Sequence, residues 1–327
     1  MATRENRPCA CVILAAGEGK RMKSSRPKVA HRLAGRPLLL HVLEAARALA
    51  PDPTVVVAPS RKGPIVELAA DAAEVAVQDA KLGTGDALGR AAPILKNFDG
   101  DVLVLCGDVP LLTPATLCRL LEVHRTRGWS ATVLTAVVPD PSGYGRIVRR
   151  SDGELEAIVE DLDADGRTRA IREINSGIYC FVSPLIWEIL RKIGSDNRQG
   201  EYYLTDAVRL LVEWGNPVGS CVVEDCREIQ GINSRRQLAA AEADFQDRRR
   251  RACWKEGVTL IAPETVYLEV GAEIGADSEI GPFVHIGAGA RVGAGCRLGP
   301  FVRVNPGQEV PAGTSLAGDP PAREVRE

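Results

Sequence analysis

Nine aliphatic residues recur at intervals of six in the C-terminal part of the chain: Leu268, Ile274, Ile280, Ile286, Val292, Leu298, Val304, Val310 and Leu316. Glycine follows directly at Gly275, Gly281, Gly287, Gly293 and Gly299. A small or β-branched residue stands four places after the aliphatic, as at Ser278, Val284, Ala290, Cys296 and Val302. One inward aliphatic per flat face and three faces per coil give a parallel β-helix, here about three coils long. The repeat therefore predicts a short left-handed β-helix over residues 257–318.

The rest of the chain has a different character. At 327 residues there is room for two domains with real cores. Hydrophobic content is 45% and charged content 26%, ordinary for a globular protein. A net charge of −2 exerts no global pull toward nucleic acid or anionic membrane. No apolar run approaches the roughly 20 residues that span a bilayer. The segment from Met1 to Pro8 is polar and lacks the apolar core of a signal peptide. The nine cysteines form no Cys-x-x-Cys pair, and the four histidines do not cluster with them. That pattern fits neither a zinc site nor a disulfide framework, and it predicts a reducing, cytoplasmic setting. Cys106, Cys180 and Cys221 read as small core residues on strands.

The stretch Leu14-Ala15-Ala16-Gly17-Glu18-Gly19-Lys20-Arg21-Met22, followed by Arg26-Pro27-Lys28, directly succeeds a buried-strand pattern at Ala10 to Leu14. Glycines let the backbone turn sharply with N–H groups facing a ligand, and Lys20, Arg21 and Lys28 supply positive charge. That combination suits a triphosphate. A dinucleotide fingerprint is excluded because Met22 stands where the third glycine is needed, and a Walker loop is excluded by the glycine spacing.

Apolar stretches then alternate as helix at Pro37 to Ala50, strand at Thr54 to Ala58, helix at Ile65 to Ala70 and strand at Ala73 to Val77. This rhythm predicts a doubly wound, mostly parallel, Rossmann-like α/β sheet with ligands beyond the carboxyl ends of its strands. Gln78 and Leu82-Gly83-Thr84-Gly85 lie at one such end, where an amide and exposed backbone match the edge of uracil. The alternative there is a glycine turn with Thr84 as helix cap. Asp108 follows Cys106-Gly107 at the end of a strand over Asp101 to Leu105, a position that suits Mg²⁺. Helix capping does not require Asp108, because Thr113 before Pro114 fits that role. In Asp140-Pro141-Ser142-Gly143-Tyr144-Gly145-Arg146-Ile147, two glycines around an aromatic let main chain contact a sugar. Glu160 and Asn175 are polar residues within apolar strands. They need partners, either a sugar's hydroxyl and acetamido groups or an internal network. Asn233 precedes a long helix and reads as cap, as metal ligand, or as both.

Taken in order, these motifs resemble the bacterial N-acetylglucosamine-1-phosphate uridyltransferase family of sugar-nucleotide pyrophosphorylases, over residues 9 to 255. The resemblance implies a nucleotidyltransferase domain at 9–235, a linker helix at 236–256, the β-helix at 257–318 and a tail at 319–327. It implies Mg²⁺, UTP and N-acetylglucosamine-1-phosphate as reactants, with UDP-N-acetylglucosamine and pyrophosphate as products. By motif, Leu14, Ala15, Ala16, Gly17, Cys106 and Gly107 line the nucleotide, and Gln78, Gly83 and Thr84 read uracil. Arg21 and Lys28 hold the phosphates as catalytic groups. Asp108 and Asn233 bind the metal, and Gly145, Glu160 and Asn175 hold the amino sugar. A homotrimer through the hexapeptide repeats is implied too.

Three departures accompany the resemblance. Cys106 stands where some members have Tyr. Asp161-Leu162-Asp163 follows Glu160 where a His-Lys-Asp-like segment is expected, which bears on sugar preference. The acetyltransferase motifs of bifunctional members are not found, and His285 reads as a surface residue rather than a general base. Other readings are the same chemistry on glucose-1-phosphate or N-acetylmuramate-1-phosphate, and a non-catalytic nucleotide-sugar-binding trimer. The ending Gly318-Asp319-Pro320-Pro321-Ala322-Arg323 is similar to the tail that closes many hexapeptide transferases, so the β-helix is expected to be finished there.

Overall fold

The computed structural model describes residues 7–318; the tail from Asp319 lies outside the described residues. The chain divides into two compact units. One holds the segment ending at His31 together with Leu38–Arg235; the other holds Arg32–Pro37 and the chain from Arg236 onward.

The first unit is built on one sheet of nine strands. In chain order they are β1 (Cys9–Leu14), β2 (Thr54–Ala58), β3 (Glu74–Val77), β4 (Asp101–Cys106), β5 (Ala131–Val137), β6 (Arg146–Arg149), β7 (Leu155–Val159), β8 (Glu173–Val182) and β9 (Val218–Val222). The main path runs β9-β5-β8-β4-β1-β2-β3, with β6 and β7 branching from β8. Along that path only β8 opposes its neighbours, and the β6 and β7 branch is antiparallel as well, so the sheet is mixed, with a parallel part around β1.

Both faces of the sheet are covered, which explains the unbroken apolar strands. In β1, Cys11 and Ile13 belong to one core while Ala10 and Val12 belong to the other. Helices α1 (Leu38–Arg47), α2 (Pro64–Ala69) and α4 (Pro114–Arg127) pack on the first face through Leu39, Val42, Ile65, Leu117 and Leu120. Helices α3 (Thr84–Gly89), α5 (Leu185–Leu190) and α6 (Thr205–Glu213) pack on the second through Leu88, Ile186, Ile189 and Leu211. Thr113 caps α4, accepting from the Thr116 amide at 3.2 Å. This is the doubly wound plan that the sequence rhythm predicts, and it sets the ends of β1, β3 and β4 on one rim.

The second unit carries helix α7 (Arg235–Lys255), all but its first residue, and the hexad segment. Two-residue parallel strands stack coil on coil in three sheets, with registers Tyr267↔His285, Glu273↔Arg291 and Glu279↔Arg297. This is a short left-handed β-helix. Leu268, Ile280, Ile286, Val292, Leu298, Val304 and Val310 are buried along its axis. Glycine after the aliphatic is demanded by the approach of the next coil: a Cβ on Gly275 would lie 2.5 Å from the Ala294 amide. The sequence reading missed a hairpin, Arg32–Leu33 with Arg36–Pro37, that belongs to this unit. It is held by Ala34, whose amide donates to Glu242 at 2.8 Å and whose carbonyl accepts from Val270 at 3.0 Å. His285 is more covered than expected: Nε2 lies 3.2 Å from Glu269 and the ring meets Tyr267 edge-on.

The described cysteines are all free, and no group of three potential metal-binding His, Cys, Asp or Glu side chains occurs among the described residues. No described helix is long and apolar enough to cross a membrane.

Candidate functional site

A cavity of about 530 Å³ opens at the ends of β1, β3 and β4. Its walls include twelve of the expected residues: Leu14, Ala15, Ala16, Gly17, Arg21, Lys28, Gln78, Gly83, Thr84, Cys106, Asp108 and Asn233. Gly17 has open space where a Cβ would stand. Gly19 is in the left-handed region at φ 61°, and a Cβ there would strike Lys28 Cβ at 2.6 Å. A glycine is thus what lets the loop lie against Lys28.

Three side chains from distant parts of the chain meet on the cavity wall. The Lys28 ammonium donates to Asp108 Oδ2 in a very short contact and to Asn233 Oδ1 at 2.9 Å. The ion-paired side chains are 12% and 15% exposed, so water screens the pair only in part. The position of each has a local cause. Lys28 opens a short 3₁₀ turn, Lys28–Ala30, after Pro27. Asp108 follows β4, and its carbonyl accepts the Ile232 amide at 2.9 Å, bringing in the segment that bears Asn233.

Two oxygens from separate segments thus already share one small cation. An oxygen-only donor set of a carboxylate and an amide suits a hard divalent ion that keeps water and takes phosphate oxygens as further ligands. The residues present fit such an ion.

Other expected residues are placed differently. Gly107 does not line the cavity; its amide donates to Leu14 O at 2.9 Å, and a Cβ would crowd that same carbonyl at 3.2 Å. It closes β4 onto β1. Thr84 is not a helix cap, because its hydroxyl accepts the Leu204 amide at 3.0 Å and Gly83 precedes the helix. Gln78 spends both amide hydrogens internally, on Gly83 O and Asp86 Oδ2, each at 2.9 Å. Only its carbonyl oxygen is left for a base, where it would accept from an N–H.

Gly145, Glu160 and Asn175 do not line that cavity but cluster together. A Cβ on Gly145 would lie 3.5 Å from both Asn175 Cβ and Glu160 Oε2. Asn175 donates to the Tyr179 hydroxyl at 2.8 Å and accepts from the Gly177 amide at 3.0 Å. Its internal network therefore takes about half of the amide's hydrogen-bonding capacity. The register of β8 against β5 shifts between Asn175 and Tyr179, with Gly177 at φ 77°. Such bulges re-aim side chains next to sites. The same bulge reaches the cavity, since Gly177 O accepts from Cys106 Sγ at 3.4 Å. Burial pushes the Cys106 thiol up to about 12, with the Asp108 charge adding to it, so the thiol stays protonated.

Burial raises the pKa of Glu160; a Thr205 hydrogen bond at 3.2 Å opposes this, and Asp163, Asp206 and Asp161 add to it. An acid whose folded pKa exceeds its unfolded value loses stability as pH rises through the folded value. Glu160→Gln should therefore raise the melting temperature relative to wild type at pH 7 to 8. The gap should close toward pH 4, which thermal denaturation across pH measures. A constant gap would show that ionisation of Glu160 is not the cause.

Sequence reading missed Glu18, Lys81 and Glu201 on the cavity wall. Glu18 pairs with Lys20 at 3.1 Å and with Lys81 in a closer contact. The cation three residues after Gln78, in the same strand-end loop, was the available signal.

A doubly wound sheet with a glycine-lined, cation-bearing cavity at its strand ends defines a nucleotide-handling α/β domain. The chain belongs to the MobA-like NTP transferase domain family, whose model matches residues 11–178. Residues 271–306 match the bacterial transferase hexapeptide model. The chain is 47% identical over 271 residues to the bifunctional protein GlmU of Heliobacterium modesticaldum. It is 45% identical over 271 residues to those of Geobacillus thermodenitrificans and Acetivibrio thermocellus. Each match covers 83% of this chain and 59% of the relative, so the chain spans well under two thirds of the proteins it matches.

Proposed function

We propose that the protein is a UDP-N-acetylglucosamine pyrophosphorylase, joining UTP to N-acetylglucosamine-1-phosphate with release of pyrophosphate. The observation that carries this reading is the convergence of Lys28, Asp108 and Asn233 on the wall of a glycine-lined cavity. The similarity to proteins named GlmU supports it.

In the proposed step a phosphate oxygen of the sugar attacks the α-phosphorus of UTP. A new P–O bond forms, the bond to the β-phosphate breaks, and pyrophosphate leaves with its electron pair. The attacking phosphate is already anionic near neutral pH, so no general base is required. Charge repulsion and alignment dominate the barrier. The loop from Leu14 to Gly17 would cradle the nucleotide, and Arg21 and Lys28 would stabilise the departing pyrophosphate. The Gln78 carbonyl would accept the uracil N–H. Glu160, Asn175 and Gly145 would hold the amino sugar. Mg²⁺ held by Asp108 and Asn233 would supply charge neutralisation across the phosphates.

The test is a pyrophosphate-release panel of UTP, dTTP and CTP against the 1-phosphates of N-acetylglucosamine, glucose and N-acetylmuramate. UTP with N-acetylglucosamine-1-phosphate should be the best pair by at least tenfold. A different best sugar would reassign the substrate, and no release from any pair would refute the enzymatic reading. Acetyl transfer from acetyl-CoA to glucosamine-1-phosphate should be absent in a parallel assay.

The hexad segment is proposed to assemble a homotrimer. Phe283 and Phe301 support this: they stack at 5.2 Å on successive coils while 56% and 45% exposed. Both hold positive φ, 57° and 63°, an unfavourable conformation for an aromatic residue. Sedimentation at a trimer's mass is expected; a monomer would refute it.

A further inference from the structure

Arg146 is a charge buried inside the sheet, its side chain only 2% exposed in strand β6. It faces Val159 of β7 and Ile174 of β8 in the register. Two groups accept from it. Its guanidinium donates to the Tyr144 carbonyl in a very short contact and to Asp161 Oδ1 at 2.9 Å. Its Nε has no hydrogen-bond partner among the described residues. Asp161 is the carboxylate at ion-pair distance, and the charge of Arg146 also reaches the exposed Asp140.

Tyr144 is the residue through which this clamp reaches the site. Its amide donates to Pro141 O at 3.2 Å, which makes the loop a turn. Its hydroxyl meets the Gly231 backbone. Gly231 in turn abuts Asp108: a Cβ there would lie 3.5 Å from Asp108 Oδ2. Gly145, the next residue, accepts the Asn175 amide at 2.8 Å and faces Glu160. The pair Asp161–Arg146 therefore anchors a loop that touches both the sugar-side cluster and the neighbourhood of Asp108.

We propose that Asp161 is a positioning residue for the sugar phosphate. It neutralises Arg146, the guanidinium fixes the Tyr144 carbonyl, and the Tyr144–Gly145 main chain is thereby held where the sugar phosphate must align with Asp108. Among the described residues no cation pairs with its neighbour Glu160, whose partner is the Thr205 hydroxyl. This rests on the nucleotidyl-transfer reading above, and it adds a residue that acts through Arg146.

Steady-state kinetics on the 327-residue chain test it, with pyrophosphate release as readout and Asp161→Ala, Asp161→Asn and Asp161→Glu as variants. Asp161→Ala should raise KM for N-acetylglucosamine-1-phosphate at least tenfold while KM for UTP stays within twofold. Asp161→Asn, which keeps an acceptor oxygen but not the charge, should fall between. Asp161→Glu should restore most of the loss. Equal changes in both KM values, or a fall in kcat alone that follows the fraction of folded protein, would show a merely structural role and overturn the proposal. Should Asp161→Ala fail to fold, the Asn and Glu variants carry the same comparison. Absence of activity in wild type would instead refute the underlying reading.

Discussion

Asp108→Ala should reduce turnover by about 10³-fold or more while leaving the protein folded. The carboxylate sits on a loop after β4 rather than within a core, so removing it opens no apolar cavity. The lost rate has two parts. Charge on the reacting phosphates would no longer be neutralised at this point, and one preorganised electrostatic contact is commonly worth about 10²–10³ in kcat. Lys28 would also lose the partner that fixes it. Asp108→Asn should recover a small part, because an amide oxygen keeps the geometry without the charge. Circular dichroism and thermal denaturation confirm folding, and initial rates of pyrophosphate release measure the loss. Activity within tenfold of wild type would show that the site lies elsewhere.

Lys28→Ala should lower kcat by about 10²–10³-fold with little change in KM for the sugar phosphate. A compact ammonium is suited to the charge that grows on departing pyrophosphate, and that charge exists mainly in the transition state. Lys28→Arg should not rescue it fully. A planar guanidinium spreads its charge over a fork, whereas the ammonium concentrates it at one point beside the phosphates. A variant with unchanged kcat and raised KM for UTP would assign Lys28 to ground-state binding alone.

The legible parts of this protein are those whose cause is local or repeated. The hexad repeat dictated its coils because the neighbour each aliphatic and glycine meets on the next coil carries the same pattern. The run from Leu14 to Gly17 and the position of Asp108 follow from strand ends, where small residues and an acid have a recognisable place. What stayed hidden depends on partners that only the folded backbone brings into reach. Nothing in the sequence marks Arg146 as buried; Asp161 and the two flanking strands make it so. Gln78 reads as a free amide until Asp86 and the Gly83 carbonyl take its hydrogens. The Arg32–Pro37 hairpin has no pattern of its own and is defined by Glu242 and Val270. Asn175 shows both sides: its polarity inside a strand announced a need for partners, and the bulge at Gly177 supplies half of them.

The centre itself is tested most directly by electron paramagnetic resonance of Mn²⁺ titrated into the protein with UTP present, for wild type, Asp108→Ala and Asn233→Ala. One bound ion per chain in wild type, weakened at least tenfold by either substitution, is the expected result. Undiminished binding in both variants would separate the acid from the amide and contradict a shared cation beside the nucleotide.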